Sequence, residues 1–182
     1  MKKEKFQNVK TAGFTMIEIL IVVVILAVAA MIVVPALSSA ADMQVRSAAN
    51  TIAADLDYAR GLAITRQKNY TVVFDPASES YAIQEYDGAA NPLIKNPLTN
   101  QDFTMDIDAD SRLSQVDIDS ADFDGDADDA VTFNYLGAPC AGIGAVTPLN
   151  SGIITIQDKN GAFKLYVKVE AATGYVIIDN TP

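Results

Sequence analysis

Histidine and tryptophan are absent from this sequence, and cysteine occurs once, at Cys140. Without histidine there is no Ser–His–Asp or Cys–His catalytic arrangement and no H-E-x-x-H zinc site. One cysteine supports neither an intrachain disulfide nor a multi-cysteine zinc site. Positive charge is also scarce: 13 Lys and Arg face 23 Asp and Glu, a formal charge of −10. That balance argues against broad, non-specific nucleic-acid binding, which rests on cations neutralising phosphates. The 182 residues are rich instead in apolar side chains, 50% of the total, and much of that share is one block. The length suits one domain of ordinary size, with residues left for a targeting element.

The block covers residues 19–41 and holds no charged side chain. As a helix it spans roughly 35 Å, enough to cross a hydrocarbon core of about 30 Å. Upstream, Lys2, Lys3, Lys5 and Lys10 stand against Glu4, so the N-terminus stays in the cytoplasm and the chain beyond residue 42 faces outward. A cleaved secretory signal is the competing reading, and Ser38-Ser39-Ala40-Ala41 can pass for its cleavage site. Such a signal has an apolar stretch of only about 7–15 residues; the run here is too long. The expectation is a basic leader over 1–13 and a transmembrane helix over 14–41.

Glu18 is the odd residue, an acid at the entrance of the apolar run. An ionised group at the centre of a membrane helix costs about 3 kcal/mol. Near the interface it can simply face the positive end of the helix dipole. A second use arises if the chain is cut after Gly13. Phe14 then becomes a free amino terminus on the same helix face as Glu18, and its ammonium can pair with a carboxylate of its own or a neighbouring chain. Glycine before the cut lets an extended backbone enter a peptidase cleft.

The stretch Lys10-Thr11-Ala12-Gly13-Phe14-Thr15-Met16-Ile17-Glu18-Ile19-Leu20 closely resembles the class III signal of type IV pilins and type II secretion pseudopilins. Pro35 matches a proline those helices commonly carry. The resemblance implies that a prepilin peptidase cuts after Gly13, that Phe14 is N-methylated, and that Glu18 contacts the N-terminus of a neighbouring subunit during assembly. Removing residues 1–13 takes away four Lys and one Glu, which leaves 9 basic and 22 acidic residues. The case against a phosphate-binding surface deepens.

Beyond the membrane run the helical pattern persists. Val45, Ala49, Ile52, Leu56, Ala59 and Ala63 recur three or four residues apart as one narrow apolar stripe. One helix is predicted from about Phe14 to Gln67, loosened or kinked at Pro35, with 42–68 as its amphipathic continuation. The rest, 69–182, reads as a β-domain. Residues 70–74 and 81–86 flank a turn-rich loop as a hairpin, and further strands are expected near 113–118, 131–135, 153–157, 162–170 and 175–179. Asn160-Gly161 signals a second hairpin. With two Asn-Pro steps, residues 87–112 read as a long surface loop.

Residues 54–66, 131–139, 152–157 and 173–176 are similar to the GspH/FimT branch of pseudopilins. The resemblance implies an α+β fold, a long N-terminal transmembrane and filament-core helix packed on a small antiparallel β-domain. It also implies a minor subunit near the tip of a periplasmic filament, a structural protein and not an enzyme. Members linked to DNA uptake tend to carry arginine after the C-terminal Thr-Gly, where this chain has Tyr175. The expected role is therefore a minor pseudopilin of the type II secretion pseudopilus, anchored in the inner membrane with its C-terminal domain periplasmic. Its partners would be other pilin-like subunits, the prepilin peptidase and the secretion assembly platform. The alternative is a type IV pilus minor pilin acting in pilus biogenesis or DNA uptake. A signal-anchored hydrolase using paired carboxylates finds no support in any residue spacing.

No cofactor or metal is expected. The acidic run 117–129 departs from the EF-hand order, with Val131 at the bidentate position, and reads as a solvated loop. Cys140 reads as a packing residue. Arg46, Arg60, Arg66 and Lys68 are expected to satisfy nearby acids.

Overall fold

The computed structural model describes residues 14–88, 91–125, 129–144 and 147–182; along 32–39 it describes the backbone but not the side chains. Helix α1 runs Met16–Arg66. It stops where Gln67 turns left-handed (φ 54°) and the Lys68 amide donates to the Ala63 carbonyl, a common helix-ending geometry. By its contacts the chain divides into a unit ending at Ser39 and a second, Ala40–Pro182.

In the first unit every large apolar side chain from Phe14 to Met31 that projects from the helix is exposed, from 46% at Val22 to 91% at Met16. So much apolar surface in water is unfavourable. Among the described residues no helix is long and apolar enough to cross a membrane; the described side chains of the apolar run stop at Met31 and resume at Ala40.

Among the described residues the second unit sets the end of α1 against ten strands: β1 (Asn69–Asp75), β2 (Ser80–Tyr86), β3 (Thr104–Asp106), β4 (Val116–Phe123), β5 (Ala130–Phe133), β6 (Pro139–Ala141), β7 (Thr147–Pro148), β8 (Gly152–Asp158), β9 (Lys164–Val169) and β10 (Val176–Asp179). They form two antiparallel sheets, ordered β3-β2-β1-β5-β6-β7 and β10-β9-β8-β4. The predicted stripe of α1 is buried at every position, joined by Ala48. Alanine at 48, 49, 59 and 63 lets the helix backbone approach closely, while Ile52 and Leu56 fill the space between. The other side of the core comes from alternate residues of the strands, among them Tyr70, Val72, Ile83, Phe133, Ile154, Ile156 and Val167. Polar ties also cross the helix–sheet boundary, among them the Tyr81 hydroxyl, which donates to Asp55 Oδ2 at 2.6 Å.

Both predicted hairpins are present. Asp75 caps the turn between β1 and β2, accepting from the Ala77 and Ser78 amides. Gly161, at φ +68°, makes the turn between β8 and β9, where Asp158 accepts from the Asn160 and Phe163 amides.

Three expectations are corrected. Residues 87–112 are not a plain surface loop. Leu93 and Lys95 bridge to Gln84 and Asp102, β3 pairs with β2, and Ile94, Phe103 and Ile107 are buried. The strand expected at 113–118 begins at Val116, because Asp110 caps a short 3-10 turn over Ser111–Leu113. It then continues to Phe123, through the stretch read as a solvated acidic loop. Val116, Ile118, Ala121 and Phe123 face the core and the aspartates between them face out.

Candidate functional site

Gly13 lies outside the described residues. Phe14 and Glu18 are described and exposed. Thr15 starts the helix: the Glu18 amide donates to Thr15 Oγ1 at 3.2 Å, and the Thr15 amide donates back to Glu18 Oε2 at 3.5 Å. This reciprocal arrangement is a capping box, and it satisfies amides that the first helical turn leaves unpaired. Charge and hydropathy pass over Thr15; its signal in the sequence is the Thr-x-x-Glu spacing. At 3.5 Å the return bond is at the outer limit of hydrogen bonding, so the Glu18 carboxylate can accept from another donor at small cost. Pro35 falls where side chains are not described, and α1 continues through it.

The acidic run resolves into separate contacts. Gln157 Nε2 donates to Asp117 Oδ2 at 2.6 Å and Asp119 Oδ1 at 3.0 Å, and Lys164 pairs with Asp119. Asp122 accepts from the Gly125 amide, and Asp124 from the Asn150 and Ser151 amides. Asp126 and Asp128 lie outside the described residues. Among the described residues no group of three or more potential ligands is placed to hold a metal.

Glu79 joins this edge from the other sheet. At left-handed φ (50°) before β2, it accepts the Ile118 amide on Oε2 at 2.6 Å and shares a hydrogen bond with Asp117. Burial first, then the Asp117 bond, pushes the Glu79 carboxyl up to about 7. The same bond, with Gln157, holds Asp117 below the usual carboxylate range. Asp108 and Lys159, paired at 2.9 Å, and Lys164 also act on the pair. A raised carboxyl stabilises the fold below its unfolded pKa, and that contribution is lost as pH rises through the folded value. Glu79→Gln, which keeps an acceptor for Ile118 and a donor for Asp117, is therefore expected to gain thermal stability over the wild type as pH rises from about 5 to about 8. Melting curves with a constant offset between the two proteins across that range would show that Glu79 carries no such proton.

Of the four helix cations expected to meet acids, Lys68 does, pairing with Glu85. Arg46 instead lies 4.9 Å from the Phe163 ring centre, and Arg66 hydrogen-bonds to Tyr70. Arg60 donates Nε to the Gly137 carbonyl at 3.2 Å. Gly137 and Gly174 both have positive φ (82° and 66°), and a Cβ on Gly174 would stand 2.8 Å from that same carbonyl. Three segments that read as separate similarities in the sequence, near 60, 137 and 174, thus meet at one junction. Cys140 is buried, and burial raises its thiol pKa, which fits a packing role.

The family model described as Type II transport protein GspH matches residues 48–173, more than half of the chain. The chain belongs to the GspH family. The match takes in the buried part of α1 but for Val45, both sheets but for β10, and two of the three junction segments in full. A second model, the prokaryotic N-terminal methylation motif, matches residues 9–34. No curated protein matches this GspH-family chain. Two solved structures of the minor pseudopilin EpsH from the type 2 secretion system of Vibrio cholerae resemble it, each with TM-score 0.55 and 11% identity; one covers 75% of this chain and 97% of its own, the other 78% and 96%. The type IV minor pilin FimU of Pseudomonas aeruginosa is similar with TM-score 0.46 and 17% identity, over 74% of this chain and 91% of its own. The EpsH likeness shows a shared α+β pilin-like fold.

Proposed function

We propose that this GspH-family chain is a minor pseudopilin, a non-enzymatic structural subunit that supports type II protein export from near the tip of a pseudopilus. The observation that carries the reading is the coincidence on one chain of the methylation motif over 9–34 and the GspH match over 48–173. The prepilin peptidase removes residues 1–13 and Phe14 becomes the methylated amino terminus. Residues 14–41 anchor the chain in the inner membrane, with Pro35 relaxing the helix, 42–68 continue it, and 69–182 form a periplasmic domain. The assembly platform then moves the helix from lipid into a filament of pilin-like subunits. Leaving lipid is feasible because neighbouring helices cover the side chains that are exposed from Phe14 to Met31.

Processing tests the reading. Coexpression with a prepilin peptidase is expected to yield a chain beginning at Phe14, read by N-terminal mass spectrometry. An intact leader, or a cut after Ala40 or Ala41, would overturn it.

A further inference from the structure

Glu79 joins three segments that lie far apart in the sequence. It ends the short turn Pro76–Ser78 that leads into β2, in the first sheet, with a left-handed backbone. Its carbonyl accepts from the Ile107 amide at 2.9 Å. Its carboxyl crosses to the second sheet, where Oε2 accepts from the Ile118 amide at 2.6 Å. Strand β4 is the last of that sheet, so the carboxyl stands where a further strand would pair. The turn Pro76–Ser78 buries no side chain of its own. It can lift away without opening the core.

Asp117 meets the same carboxyl. Two ionised carboxylates this close repel, so the contact needs one proton between them. The charges around the pair leave that need in place. In the second sheet Asp119 pairs with Lys164 of β9, and Gln157 of β8 donates to both Asp117 and Asp119. Beyond Ile107, Asp108 pairs with Lys159. On the turn itself Asp75 accepts from the Ala77 and Ser78 amides. Both lysines near the pair thus already hold another acid, which limits what they offer a second negative charge.

We propose that Glu79 and Asp117 form a proton-dependent latch between the two sheets, closed while they share a proton and opening locally when it leaves. The part that opens is the turn before β2, away from the β4 edge, while the rest of the domain stays folded. With the latch open, Glu79 titrates near the usual glutamate value of 4.5; with it closed, at about 7. The open form therefore gains about tenfold per pH unit between those values and levels off above the second. Asp117 stays ionised throughout, being held below the usual carboxylate range.

Hydrogen exchange of the full chain in detergent, read residue by residue with fragmentation mass spectrometry, tests the latch. The Ile118 amide is the probe, with its rate divided at each pH by that of an unstructured peptide. Its protection is expected to fall by roughly 50–100-fold from about pH 5 to about pH 8, with most of the fall below about pH 7. It should also stay below the protection of Ile154, which lies on β8 between β9 and β4. Glu79→Gln should abolish the pH dependence. Asp117→Asn should move it to lower pH, since Glu79 then ionises beside a neutral amide. Protection of Ile118 that is flat with pH would overturn the proposal, as would a pH dependence that survives Glu79→Gln. Equal protection of Ile118 and Ile154 would mean that only global unfolding frees the amide, and the local latch would fall. An unmoved profile in Asp117→Asn would refute the shared proton.

Discussion

Glu18→Ala is expected to insert into the membrane as well as the wild type and to enter filaments at least about tenfold less. Insertion improves because a charge is removed from the apolar helix entrance. Helix start-up suffers little: Glu18 supplies one side of the capping box, at 3.5 Å, while Thr15 Oγ1 has lost no donor, since the amide of residue 18 remains. The loss falls on assembly. With the proposed cut after Gly13, the ammonium at Phe14 needs a carboxylate once it leaves water, and an unpaired charge in an apolar setting is costly. Membrane fractionation and quantification of the variant in sheared filaments check the two halves separately. Normal incorporation would mean that Glu18 serves only its own helix. Thr15→Ala is the matching control, since it removes the other half of the cap and leaves the carboxylate in place.

The helix stripe was legible because helical burial depends on spacing along one local element: each of Val45, Ala49, Ile52, Leu56, Ala59 and Ala63 is buried as its period requires. The hairpin at Gly161 was legible for the same local reason, a turn that needs positive φ. Strand β4 was not. Its register shifts between Ile118 and Ser120, so the buried residues fall at 116, 118, 121 and 123, and strict alternation breaks at the bulge. Ile94 and Phe103 were not legible because Leu93-Ile94 is only an apolar pair between two Asn-Pro steps and Phe103 stands singly between polar neighbours. They are buried through pairing with Ile83, whose amide donates to the Phe103 carbonyl and whose carbonyl accepts from the Ile94 amide. The Glu79–Asp117 contact and the Arg60 junction were out of reach in principle, since they join positions tens of residues apart and no spacing rule connects them. The N-terminal motif was readable from residues alone, yet its capping role emerged only with the helix start in view.

Two glycines are expected to respond in opposite directions to the same added methyl group. Gly61 lies inside α1, and a Cβ there meets nothing within 4 Å. Gly61→Ala should therefore stabilise the chain by about 0.5–1 kcal/mol, by cutting the entropy of the unfolded backbone. Gly174 is the reverse case. Its φ of +66° disfavours any side chain, and its Cβ would stand 2.8 Å from the Gly137 carbonyl and 3.2 Å from Arg60 Nε. The arginine can move aside, but the carbonyl belongs to a turn held by Asn134, whose carbonyl accepts from the Gly137 amide at 2.7 Å and whose Oδ1 accepts from the Leu136 and Ala138 amides. Strain and collision together should make Gly174→Ala cost roughly 2–4 kcal/mol. Against a total stability of about 5–15 kcal/mol that is a large share. Denaturant unfolding of the full chain in detergent, followed by a β-domain tyrosine signal, measures both variants on one scale. A neutral Gly174→Ala beside a stabilising Gly61→Ala would mean that the loops at 137 and 174 do not meet, and the junction at Arg60 would lose its structural basis with them.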